Sequence, residues 1–136
     1  MPGLDTAPAL PPNLHKQIMS ASFRIYGIKN CDTMKKALAW LDGQGIAYEF
    51  VDYKKAGVAE SHLPDWNTRA GWKTLLNTRG LMWKKLSEAE RTDVDEAKAL
   101  QLMATYPALI KRPVLDTGKT LLVGFDPAVY ESELKQ

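Results

Sequence analysis

The chain holds one cysteine, Cys31, in the segment Lys29-Asn30-Cys31-Asp32-Thr33-Met34-Lys35. A structural thiol is usually a small buried hydrophobe, whereas these neighbours are polar or charged. Upstream lies a short strand candidate, Phe23 to Tyr26, closed by Gly27. Downstream, Met34, Ala37, Leu38 and Leu41 recur at helical spacing. The sulfur therefore belongs at or just before a helix N-terminus. Unpaired N–H groups there favour an anion and can lower a thiol pKa from about 8.5 into a range of roughly 3.5 to 7.5. Lys29 and Lys35 add positive potential, and Asp32 opposes it. The chemistry this arrangement offers is nucleophilic attack by a thiolate.

Cys31-Asp32-Thr33-Met34 lacks a second cysteine, so a disulfide formed at Cys31 must be resolved by an outside thiol. Glutathione is the abundant cytosolic choice. The Cys-x5-Arg phosphatase pattern fails at Ala37, and His15 and His62 have no motif linking them to Cys31. Two histidines and one cysteine also leave too few soft ligands for a structural zinc site, and no metal is expected. Gly118-Lys119-Thr120 mimics the end of a phosphate-binding loop, but position 113 is proline where that motif needs glycine. Arg79, at a glycine break, and Arg112, just before Pro113, are the arginines in suggestive contexts. A guanidinium fork is what an oxyanion or a glutathione carboxylate needs beside a thiolate.

The elements that must position these groups are legible from periodicity. The helix after Cys31 stops at Gly43 and Gly45, and Ile46 to Asp52 alternates as a second strand, which gives a βαβ unit. From Glu60 to Tyr106 the chain reads helical. Leu63, Trp66 and Ala70 form one face, Leu75-Leu76 a short helix, and Ser87 with Glu90 a capping box. Ala97, Leu100, Leu102 and Ala104 predict a further helix before Pro107. Val114-Leu115, a turn at 116–119 and Thr120 to Val123 read as a β-hairpin. A final helix runs from Pro127 to Leu134 behind an Asp126 cap. Residues 1–21, with Pro2, Pro8, Pro11 and Pro12, are expected to be a flexible N-terminal extension without the pattern of a secretory signal.

At 136 residues the chain has length for about one domain. Its 45% hydrophobic and 25% charged residues exclude wholesale disorder. A net charge of +2 is too small to argue for nucleic acid or a membrane surface, and no apolar run reaches spanning length. The expectation is a soluble, cytoplasmic domain.

Three stretches, Gly27 to Ala37, Asn77-Thr78-Arg79-Gly80 and Pro107 to Val114, resemble the arsenate reductase (ArsC)/Spx family, with greatest similarity to its YffB-like branch. The resemblance runs from about Phe23 to Leu134. It implies an α/β, thioredoxin-like fold with a mixed sheet and an inserted helical subdomain, here residues 59–107 of a domain spanning 22–136. It also implies that Cys31 is the nucleophile and that Arg79, Arg112, Lys35 and Thr33 bind substrate. Pro113 then matches a proline that is usually cis. The sequence departs from arsenate reductases in two places. Cys-Asp-Thr-Met replaces their Cys-Gly-Thr-Ser, and Val123-Gly124-Phe125-Asp126 stands where they carry a third arginine. The function expected is that of a glutathione-dependent thiol-disulfide oxidoreductase. The alternatives are an Spx-like regulator binding RNA polymerase and arsenate reduction proper.

Overall fold

The computed structural model describes residues 23–55 and 57–134. The extension expected at residues 1–21 lies outside them. Four strands form one sheet: β1 (Arg24–Gly27), β2 (Glu49–Asp52), β3 (Val114–Asp116) and β4 (Leu121–Val123). Their order is β2-β1-β3-β4, with β1 parallel to β2 and antiparallel to β3, and β3 antiparallel to β4. Helix α1 (Asp32–Gly43) makes the crossover between the parallel strands. Between β2 and β3 come α2 (Val58–Ala70), α3 (Trp72–Leu75), α4 (Leu81–Lys85), α5 (Glu88–Arg91), α6 (Glu96–Thr105) and a 3₁₀ turn at Pro107–Leu109. Helix α7 (Pro127–Leu134) closes the chain. This is the thioredoxin-like arrangement expected from the sequence.

Strand alternation divides the apolar residues between two cores, one on each face of the sheet. Ile25 of β1 and Leu115 of β3 pack with Met34, Ala37 and Leu41 of α1 and with Tyr130 of α7. Their neighbours Tyr26 and Val114 point the other way, onto Leu63 and Trp66 of α2 and Ala99 and Met103 of α6. Gly27 sits where β1 meets α1. A Cβ there would lie 2.2 Å from the Met34 Sδ, so glycine leaves the buried Met34 side chain room against the strand end.

The stop signal behind α1 is a Schellman motif. Gly45 takes φ 71°, its N–H donates to the Asp42 carbonyl, and Ile46 N–H donates to the Leu41 carbonyl. This use of Ile46 shortens the second strand, which begins at Glu49 rather than Ile46. Leu76 also departs from expectation. It leaves α3 extended and bridges Ile110, with Asn77 N–H donating to Leu109 O and Lys111 N–H to Leu75 O, both at 2.8 Å. On α6 the buried face is Ala99, Leu102 and Met103, while Ala97 is exposed. The Ser87–Glu90 capping box and the Asp126 hydrogen bond to Ala128 N–H form as read.

Candidate active site

Cys31 is the N-cap residue of α1, with extended backbone at φ −117° and ψ 132°. Its carbonyl accepts the Lys35 N–H, so the side chain stands beside the first turn. The sulfur makes no cap hydrogen bond of ordinary geometry to that turn. Its partner is Arg112, whose Nε donates to the Cys31 Sγ at 3.3 Å. Partial burial pushes the Cys31 thiol up. The Met34 amide, Arg112 and the Thr33 amide pull it down by more, and the net shift is downward.

Arg112 is itself held. Its Nη1 donates to the Ala108 carbonyl at 3.2 Å and to the Tyr53 hydroxyl at 3.5 Å. Tyr53 is fully buried and donates in turn to the Ile110 carbonyl at 2.7 Å. Burial pushes the Tyr53 phenol up to about 12, against the pull of Arg112, so it stays neutral and can donate and accept at once. The guanidinium thus reaches the thiol along its Nε edge, and Nη2 is the nitrogen not used in these contacts.

The Arg112–Pro113 peptide is cis, and the buried Pro113 offers its carbonyl to the Gly124 N–H at 2.8 Å. Gly124 has φ 84°, a left-handed conformation that favours glycine. After this turn Phe125 lines the same cleft as the thiol. A cleft of about 320 Å³ results, lined by Cys31, Thr33, Asn77, Lys111, Arg112, Gly124 and Phe125.

Of the residues expected at the site, Cys31, Thr33 and Arg112 line this cleft, and Pro113 lies directly behind Arg112. Lys35 is exposed on α1 and lines no part of it. Arg79 lies apart, in a larger neighbouring cleft of about 570 Å³. The two clefts share Asn77 and Lys111. Sequence reasoning missed Tyr53, Lys111 and Asn77 as site residues. Lys111 and Asn77 sit one and two positions from the arginines that were singled out. Tyr53 carries no local signal, because its contact with Arg112 spans 59 positions. Among the described residues no group of His, Cys, Asp and Glu could hold a metal ion, and no helix is long and apolar enough to cross a membrane.

The ArsC family model matches residues 26–132, most of the chain and every group just described. The chain belongs to the ArsC family. This ArsC-family protein is 39% identical over 108 residues to an uncharacterized protein of Haemophilus influenzae, covering 79% of this chain and 95% of that one. The solved structure of a protein named YffB superposes with a TM-score of 0.78 at 51% identity, over 82% of this chain and 98% of the other. An arsenate reductase (ArsC) related protein from Brucella melitensis gives 0.68 at 49% identity, over 85% and 96%. Among curated relatives, the global transcriptional regulator Spx 2 of Oceanobacillus iheyensis is 28% identical over 82% of this chain and 80% of its own. The ArsC-family protein thus has the fold of a thiol oxidoreductase, with its single cysteine beside an arginine.

Proposed function

We propose that this ArsC-family protein is a glutathione-linked thiol-disulfide oxidoreductase with Cys31 as its nucleophile and Arg112 as the residue that stabilises its thiolate. The observation that carries the reading is the 3.3 Å contact between Arg112 Nε and Cys31 Sγ at the start of α1. The Cys31 thiolate attacks the glutathione sulfur of a mixed disulfide RS–SG. A Cys31–SG bond forms, the old S–S bonding pair leaves with RS⁻, and RS⁻ takes a proton from solvent. A second glutathione thiolate then attacks Cys31–SG, which forms oxidised glutathione and returns the Cys31 thiolate. The net exchange is RS–SG plus GSH to RSH plus GSSG, with no second protein cysteine required.

Thr33, Asn77, Lys111 and Arg112 are the polar groups offered to glutathione in the cleft, and Pro113 presents backbone beside it. The chemistry needs a compartment supplied with reduced glutathione, which the cytoplasm provides. Gly124 and Phe125 line the cleft where arsenate reductases carry a further arginine, which weighs against arsenate as substrate.

Mass spectrometry of the intact protein after incubation with oxidised glutathione tests the reading. One glutathionyl group is expected, absent in Cys31→Ser and removed by reduced glutathione. A thiol that stays unmodified in the folded protein, yet reacts once denatured, overturns it. The similarity to Spx 2 supports a second reading, in which the same surface binds RNA polymerase without turnover. Retention of polymerase subunits by the Cys31→Ser protein, with no thiol exchange by the wild type, would favour that reading.

A further inference from the structure

Beside the thiol cleft lies the larger one, walled by Trp72, Lys73, Leu76, Asn77, Thr78, Arg79 and Lys111. Three cations face it and no carboxylate lines it. The ion pairs among the described residues join Arg24 to Glu49 and Arg69 to Asp65 and Asp116, so Lys73, Arg79 and Lys111 have no acidic partner there. The cleft is also built rather than incidental. The paired hydrogen bonds around Leu76 and Ile110 hold Asn77 and Lys111 in the wall between the two clefts. Asn77 Oδ1 accepts the Arg79 N–H at 3.0 Å and so sets the arginine's turn. A Cβ on Gly80 would come within 2.8 Å of the Asn77 amide nitrogen, so glycine there leaves that side chain its place. Lys73 Nζ lies 5.6 Å from the centre of the Trp72 ring.

We infer that this cationic cleft seats the second glutathione, the one that resolves the Cys31 mixed disulfide. The inference rests on the glutathione reading above and adds a site to it. With a single cysteine, turnover needs two glutathione molecules at one sulfur, one bound covalently and one arriving. The arriving thiolate must approach in line with the S–S bond, on the side of the glutathionyl sulfur opposite Cys31, from a seat distinct from the thiol cleft but sharing its Asn77 and Lys111 wall. Its two carboxylates match the charges of Lys73 and Arg79, which line this cleft alone, while Lys111 is shared with the thiol cleft. When oxidised glutathione is the substrate, the same cleft holds the departing half. The step is thiol-disulfide exchange alone: the arriving thiolate forms a bond to the attacked glutathionyl sulfur, and the electron pair of the broken bond returns to Cys31.

The test isolates resolution. The purified Cys31–SG protein is mixed with reduced glutathione or with glutathione diethyl ester, which keeps the thiol and loses both carboxylates. The wild type is expected to release Cys31 about tenfold faster with glutathione than with the ester. That ratio should fall toward one in Lys73→Gln/Arg79→Gln, and in the wild type as salt rises from about 0.02 to about 0.5 M. The salt series reads the same charges in unaltered protein, should the double variant fold poorly. A wild-type ratio near one, or a ratio that neither the double substitution nor salt changes, overturns the inference and leaves the glutathione reading standing. Failure of Cys31 to take up glutathione at all overturns both.

Discussion

Arg112 meets Cys31 edge-on, through Nε, because its Nη1 is already held by the Ala108 carbonyl and the Tyr53 hydroxyl. The charge is therefore fixed in place before any substrate arrives. A fixed cation beside a half-buried sulfur favours the thiolate more than a mobile one does, since little reorganisation is needed when the proton leaves.

Alkylation of Cys31 against pH is expected to show a midpoint below the ordinary thiol value of about 8.5. The sign follows from the downward shift. The folded thiol releases its proton at lower pH, so reaction speeds up earlier as pH rises. Arg112→Ala should move the midpoint upward. Arg112→Lys should restore it only in part, because one ammonium nitrogen cannot reproduce the separate Nε and Nη1 positions from which the guanidinium serves Cys31, Tyr53 and Ala108. A wild-type midpoint at 8.5 or above would mean that the thiol is not activated.

Tyr53→Phe removes the donor to the buried Ile110 carbonyl and one acceptor of Arg112. A cost of about 1 to 3 kcal/mol in urea unfolding is expected, from a buried carbonyl left without its partner. The Cys31 midpoint should rise with it, by less than in Arg112→Ala. Unchanged stability together with an unchanged midpoint would show that Tyr53 does not hold the arginine.

Arg69 on α2 grips Asp116 on β3 through two hydrogen bonds of 2.9 Å, with the side chains 25% and 23% exposed. The Arg69 guanidinium, more than any other neighbour, holds the Asp116 carboxyl below its usual value. A depressed carboxylate stabilises the fold above its unfolded pKa of about 3.9, and that contribution is lost as pH falls through the lower folded value. Asp116→Asn should cost about 1 kcal/mol at pH 7, allowing for partial solvent screening. The difference from wild type should shrink in the acid range below about pH 4, as thermal or urea unfolding against pH would record. A gap that stays constant into that range would place the effect elsewhere.

Arsenate turnover by the wild type is expected to be weak or absent in a glutathione-coupled assay. The cleft offers the cations Lys111 and Arg112 and the neutral donors Thr33 and Asn77, but Gly124 and Phe125 stand in its wall without a third cation, and burying an oxyanion against an aromatic ring with too little compensating charge is unfavourable. Robust arsenate reduction would contradict this reading of the cleft.

The order of elements was legible because each is signalled within a few residues. Gly45 ends α1 through hydrogen bonds to Asp42 and Leu41, Ser87 and Glu90 cap α5 between themselves, and Asp126 caps α7. Cys31 was legible for the same reason, since its place depends only on the strand before it and the helix after it. What the sequence by itself determined is thus a thiol at the mouth of a helix in a βαβ unit, with arginines in two later motifs. Only the tertiary structure decided which arginine meets the sulfur. Arg112 and Cys31 are 81 positions apart, and Tyr53, which steadies the arginine, is 59 from it. Their meeting depends on β3 pairing beside β1 and on the Leu76–Ile110 bridge, contacts set by packing two faces of one sheet. The same packing turned α6 onto Ala99 and Met103 and set Arg79 in a cleft of its own. Local hydrogen bonding is written in neighbouring residues, whereas the convergence of distant side chains emerges only when the cores on both faces of the sheet are filled together.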